Sequence, residues 1–102
     1  MAVASIAFSG EYDLNSKERL RERLETLRCE PDVVIDFSGV THLDATCVTE
    51  LVRMHRHRSS LGFDRETIIV GDPSVQRCLD LLKMQLIFSV IDASNEAEGS
   101  PS

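Results

Sequence analysis

Two short runs rich in β-branched residues, Val33-Val34-Ile35 with Phe37 and Ile68-Ile69-Val70, flank a stretch that reads as one helix. Branched runs of this kind suit strands covered on a pleated sheet. Strands joined through a helix of roughly ten or more residues normally lie parallel, connected by right-handed crossovers. The chain is thereby restricted to an α/β domain: a small, mostly parallel or mixed sheet with helices packed against it.

The other segments fit that frame. Val3, Ile6 and Phe8 suggest a short first strand, interrupted at Gly10-Glu11-Tyr12-Asp13 by a turn or irregular edge. Asn15 followed by Glu18 predicts a capped helix start, and Leu20, Leu24 and Leu27 continue at helical spacing over 16–28. Arg19, Arg21, Glu22 and Arg23 then face mostly solvent. Pro31 ends that element, and Gly39 is expected to break the central strand. A second helix is predicted over 46–60, with Val48, Leu51, Val52 and His55 close to one stripe and Leu61-Gly62 as its stop. Asp72 caps a third helix whose first residue is Pro73 and whose inner face is Val75, Leu79 and Leu82. Leu86 to Ile91 permits one more strand. Residues 1–94 are expected to form a single domain, and the polar run 95–102 a flexible C-terminal tail.

Size and charge narrow the function classes. A chain of 102 residues builds one modest core and leaves no room for a second catalytic domain. No apolar run is long enough to cross a bilayer, and the opening Met-Ala-Val-Ala-Ser has no basic segment followed by an apolar one. The expectation is a cytoplasmic protein without membrane attachment. A formal net charge of −6 argues against nucleic acid, whose binding depends on neutralising phosphates. Arg53, Arg56, Arg58 and Arg65, interleaved with His55 and His57, form a local basic stretch, read as a solvated surface or a docking patch for an acidic partner. Cys29, Cys47 and Cys78 lack paired spacing and read as buried thiols rather than a disulfide framework or zinc site.

Catalytic and ligand signatures are sparse. Gly39, Gly62 and Gly71 form neither a dinucleotide nor a phosphate-loop pattern, so no cofactor is expected. His55 and His57, two apart, point to different helix faces, and His42 with Asp44 lacks a clear third ligand, so no metal is expected either. Ser9, Ser38 and Thr46 have no nucleophile elbow around them. What stands out is Asp44-Ala45-Thr46-Cys47, at the turn from the central strand into the second helix. Asp44 there caps the helix, or it flanks a phosphorylation switch; Thr46 has the hydroxyl for such chemistry, and Ala45 does not.

Several local patterns, taken in order, resemble one family. Gly10-Glu11-Tyr12-Asp13 resembles the entrance to the first helix of the STAS domain, typified by bacterial anti-sigma factor antagonists. Val34-Ile35-Asp36-Phe37-Ser38-Gly39-Val40 resembles its central strand, and Leu43-Asp44-Ala45-Thr46-Cys47 its hydrophobic-Asp-Ser-Ser-Gly motif. Val70-Gly71-Asp72-Pro73-Ser74-Val75 and Ile87-Phe88 are similar to the distal strand and the family ending. The resemblance covers about residues 5–91. It implies a regulatory binding protein, not an enzyme, whose partner is an anti-sigma factor of the serine-kinase type; capture of that partner frees a sigma factor in transcription regulation and stress response. The family's switch serine falls at Ala45, its second serine at Thr46 and its glycine at Cys47.

On that resemblance the partner-binding residues are His42, Asp44, Ala45, Thr46, Cys47, Glu50 and Arg53, with Thr46 as the remaining phosphorylation candidate. Many family members have an additional edge strand, so the strand holding Ile6 and Phe8 is expected to be open to self-association, with a homodimer as one outcome. Two further readings stay open, an oligomeric stress-signalling scaffold and a small-ligand-binding or enzymatic α/β domain.

Overall fold

The computed structural model describes residues 3–93. Among them are four strands, β1 (Ala4–Tyr12), β2 (Val33–Leu43), β3 (Thr67–Val70) and β4 (Ser89–Asp92). They alternate with three α-helices, α1 (Lys17–Glu25), α2 (Ala45–Ser60) and α3 (Pro73–Leu81), and with 3-10 turns at Leu14–Ser16 and Met84–Leu86. The sheet runs β1-β2-β3-β4 and every pairing is parallel. Because strand order follows chain order, crossovers of one hand carry all three helices to the same face. Burial alternates accordingly: Val33, Ile35 and Phe37 are covered, whereas Val34 and Asp36 between them are partly exposed. The expected α/β architecture is the one observed. The tail expected at 95–102 lies outside the described residues.

Several local expectations change. Gly39 does not break the central strand. β1 continues past its irregularities, so Gly10 pairs with Val40, Glu11 with His42 and Tyr12 with Leu43, and β2 runs for 11 residues. The irregular edge foreseen at Gly10 is a register shift inside a nine-residue strand, with Gly10 at φ +90°. Such a backbone geometry is cheap for glycine and strained for other residues. Asn15 is not the cap. Asp13 instead caps a 3-10 turn that precedes α1, accepting from the Asn15 amide at 3.0 Å and the Ser16 hydroxyl at 3.2 Å, and Ser16 at the start of α1 makes no side-chain capping bond. Arg19 and Arg23 extend over aromatic rings, 5.3 Å from the Tyr12 centroid and 4.4 Å from that of Phe8. Their stems thus help cover the Phe8–Tyr12–Phe37 cluster beneath α1.

The third helix begins as expected, with Asp72 accepting from the Ser74 amide at 2.8 Å and Pro73 in the first turn. Its strand approaches β2 so closely that a Cβ on Gly71 would sit 2.8 Å from the Ser38 carbonyl oxygen. Of the cysteines, Cys47 is buried, Cys78 is half-buried and Cys29 is exposed, so the expectation of three buried thiols fails at Cys29, in the turn after α1.

The largest departure is Arg58. The sequence reading placed it in a surface basic stretch; the structure buries it completely. Residues 47, 51, 54 and 58 follow the inner stripe of α2, and helical periodicity carries Arg58 inward with them. Its Nε and Nη2 donate to the Glu30 carbonyl at 3.1 and 2.7 Å, and Nη2 also donates to Pro31 O at 2.9 Å. Nη1 donates to Asp64 O at 2.9 Å and to the buried Glu66 carboxylate. The other Glu66 oxygen lies 2.8 Å from His55 Nδ1. All the N–H donors of a guanidinium are matched in this arrangement.

Removing one member of such a pair leaves an uncompensated charge in the core, which typically costs about 3–5 kcal/mol. Arg58→Met is expected to lower unfolding stability by that order in urea melts at neutral pH. Arg58→Met combined with Glu66→Leu should recover a substantial part of the loss. A single variant as stable as the parent would show that the pair does not hold the fold.

Candidate functional site

The C-terminal ends of β2 and β3 place two helix starts side by side. At the first, Asp44 caps α2: its Oδ1 accepts from the Thr46 amide and from the Thr46 hydroxyl, both at 2.9 Å. The Asp44 amide donates to Tyr12 O at 2.8 Å, tying the helix start to the end of β1. At the second, Asp72 Oδ1 accepts from the Ser74 amide and hydroxyl, and the Ser74 hydroxyl lies 3.1 Å from Thr41 O on β2. The two turns are thereby linked across the sheet edge.

Between them the surface is hollow. One groove of about 700 Å³ runs along α2 past Ala45, Val48 and Val52 to Leu82 and Met84, with Arg53 and Arg56 on its rim. A second, of about 390 Å³, lies between the β2 end and α3 and is bounded by His42, Ala45, Cys78, Leu81 and Leu82. Ala45 and Leu82 belong to both, so the two depressions adjoin. Leu81 is 73% exposed and Leu82 39% exposed, which leaves apolar surface open to water at their margin. Leu82, expected on the inner face of α3, is instead its C-cap.

The sequence-predicted residues divide into two groups. His42, Ala45 and Arg53 are exposed at this surface, and Asp44 and Thr46 are partly exposed at the helix start. Thr46 is the second residue of α2, not its cap; its hydroxyl is occupied in bonding Asp44. Cys47 and Glu50, expected among the partner-binding residues, face inward and are buried in this chain. Cys47 Sγ points to Asp13 O at 3.2 Å, and burial, ahead of the nearby Asp44 and Asp13 charges, pushes the thiol pKa up. Glu50 receives a two-pronged contact from Arg21, at 3.0 and 3.3 Å, with Lys17 at 3.7 Å and Arg53 at 3.8 Å. Sequence reasoning missed Leu81 and Arg77; the signal was Leu81-Leu82 at the end of a helix too short to bury both. Among the described residues, no group of three or more His, Cys, Asp or Glu side chains is arranged to hold a metal ion. No helix among them is long and apolar enough to cross a membrane.

Asp44 and Asp72 at the two helix starts, and Glu50 on the α1 flank of α2, are held below their usual pKa range. For Asp44 the leading cause is the Thr46 amide bond, followed by the Thr46 hydroxyl; for Asp72 it is the Ser74 hydroxyl, followed by the amide; for Glu50 it is the Arg21 hydrogen bond. A carboxylate depressed in the folded state contributes stability that is complete above its unfolded pKa, about 4. That contribution is lost as pH falls through the lower folded value. Melting temperature should therefore be insensitive to these groups between neutrality and about pH 5, then fall on further acidification. Thermal scans of Asp44→Asn and Glu50→Gln are expected to show a shallower acid-side fall than the parent; identical acid slopes would remove these groups from the linkage.

The family model described as "Mlab, STAS domain" matches residues 2–84. Among solved structures, the anti-sigma factor antagonist SpoIIAA in its unphosphorylated form is similar, with a TM-score of 0.64 and 18% identity. That match covers 91% of this chain and 82% of the SpoIIAA chain. The phosphorylated form of SpoIIAA, described as a Bacillus cell fate determinant, gives a TM-score of 0.64 at 17% identity, over 91% of this chain and 84% of its own. At such identities the likeness speaks for the fold. No curated protein sequence matches. With the family match extending through β3 and α3, this chain belongs to the STAS domain family.

Proposed function

We propose that this STAS domain is an anti-sigma factor antagonist that works by binding, not catalysis, in the cytoplasm. Its partner is an anti-sigma factor of the serine-kinase type, captured on the paired grooves between α2 and α3 so that a sigma factor is released. The observation that carries this reading is Ala45. It is exposed, it is the first residue of α2, and it lies where the two apolar depressions meet. The position to which the motif resemblance assigns the family's switch serine is thus Ala45, which lines both depressions and carries a methyl group in place of a hydroxyl.

A methyl group cannot accept phosphate, so the complex escapes control at that atom. His42 and Arg53 flank the depressions, and Arg56 and Arg77 add positive charge around an apolar centre. Such a surface suits a partner element with an apolar face and acidic edges. Asp44 and Thr46 hold the start of α2 in position. The Thr46 hydroxyl serves this turn and is not the switch, because a phosphate there would lose its bond to Asp44 and face that carboxylate.

Calorimetric titration with the anti-sigma kinase of the same cell tests the reading. Ala45→Glu is expected to weaken binding by about tenfold or more, a change of about 1.4 kcal/mol per decade. Ala45→Ser should bind the kinase and acquire one phosphate in the presence of ATP, mapped by mass spectrometry to position 45 and not to Thr46. Absence of binding by the parent protein, or undiminished binding by Ala45→Glu, would sink the proposal.

One observation favours an oligomeric scaffold as a second reading. β1 is an edge strand paired on one side by β2, and strand edges invite addition of a further strand. Light scattering coupled to size exclusion discriminates the two: a concentration-independent oligomer supports the scaffold, and a monomer rules it out for the isolated chain.

A further inference from the structure

On the other flank of α2, away from the paired grooves, α1 and α2 enclose a cleft of about 330 Å³. Its size falls at the small end of small-molecule sites, which span about 300–1,000 Å³. The buried Leu24 and Met54 contribute apolar surface to it. Its walls carry Arg21 and Arg28 from the α1 side, and Arg53 and His57 from α2.

The charges in this cleft do not balance. Glu50 is the buried anion, and Arg21 alone satisfies it with two hydrogen bonds, reinforced by Lys17 at 3.7 Å. Arg53 reaches the same carboxylate only at 3.8 Å and its side chain is 66% exposed. Among the described residues Arg28 donates to no carboxylate; its Nη2 lies 3.1 Å from His57 Nδ1 and 3.5 Å from Nε2. A guanidinium has no acceptor, so this contact requires an unprotonated nitrogen on the ring. On the lining itself three guanidinium groups, Arg21, Arg28 and Arg53, stand beside two carboxylates, Glu25 and Glu50. With Arg21 committed to Glu50, Arg28 and Arg53 are left as two guanidinium groups without a close carboxylate bond, in one concavity of a chain whose net charge is −6.

We infer that the α1–α2 cleft is a binding site for a small phosphate monoester. The two charges of the dianion match the Arg28 and Arg53 guanidinium groups, whose planar forks offer paired donors of the kind that grip phosphate oxygens. The organic part of the ligand rests against Leu24 and Met54. This site is distinct from the surface around Ala45 and does not depend on the antagonist reading; Arg53 stands on the ridge between the two.

The test is an amide and arginine side-chain NMR titration of the full chain at physiological ionic strength, with phenyl phosphate and inorganic phosphate as probes. Saturable shifts are expected at residues 21–28 and 50–57, with phenyl phosphate binding at least about fivefold more tightly than inorganic phosphate. Arg28→Gln should weaken phenyl phosphate by about tenfold while its spectrum away from the cleft stays that of the parent. Arg65→Gln, which removes an exposed arginine elsewhere, should leave the affinity unchanged. Non-saturating shifts, shifts centred on Ala45, or equal affinity in Arg28→Gln would overturn the site. Equal affinity for the two probes would overturn its assignment to a monoester.

Discussion

Much of this structure depends on the burial of one guanidinium. Arg58 gathers the carbonyls of Glu30 and Pro31 before β2, the carbonyl of Asp64 before β3, and the carboxylate of Glu66. These segments meet at the C-terminal end of α2, and without Arg58 their carbonyl groups would lose this donor and Glu66 would keep only His55. Burying two charges is costly unless the geometry satisfies both. Here it does, and His55 takes up the second oxygen of Glu66 while its ring stands edge-on to Phe88. The polar cluster is thereby stitched to the apolar core just before β4.

The opposite end of α2 is held by different means. The Asp44 amide bonds Tyr12 O, the Asp44 carboxylate caps the helix, and Cys47 Sγ reaches Asp13 O. With both ends fixed, α2 presents two unlike flanks. Toward α3 it offers small and apolar side chains around Ala45; toward α1 it offers Glu50 and Met54 under a canopy of arginines. A rigid helix separating two concavities is a scaffold on which sites can be placed with little reorganisation.

The proposed antagonist role rests on the first flank, and its physical content lies in what Ala45 lacks. A phosphate at that position would introduce a dianion beside Asp44 and between two apolar hollows, where it would oppose both the carboxylate and desolvation by a partner. A methyl group keeps the junction of the two depressions apolar and small. Leu81 and Leu82, exposed at the end of α3, extend that apolar area beyond the α2 turn.

The sequence alone determined the alternation of elements, because branched runs at 33–37 and 68–70, helical leucine spacing, and the Asp72-Pro73 start are local signals read within a few residues. It also marked the Asp44 turn and, by resemblance, the family. It did not reveal that β2 runs through Gly39, since that continuation depends on pairing with β1, about thirty residues earlier in the chain. Nor did it separate Ala45, left on the surface, from Cys47 and Glu50, turned inward. Arg58 shows the reason most clearly. Charged residues are read as exposed unless partners are known, and its partners, at Glu30, Pro31, Asp64 and Glu66, come together only when α2 is laid across the sheet. Local propensity chose the helices and strands; long-range hydrogen bonding and charge compensation decided which of their faces became core and which became site.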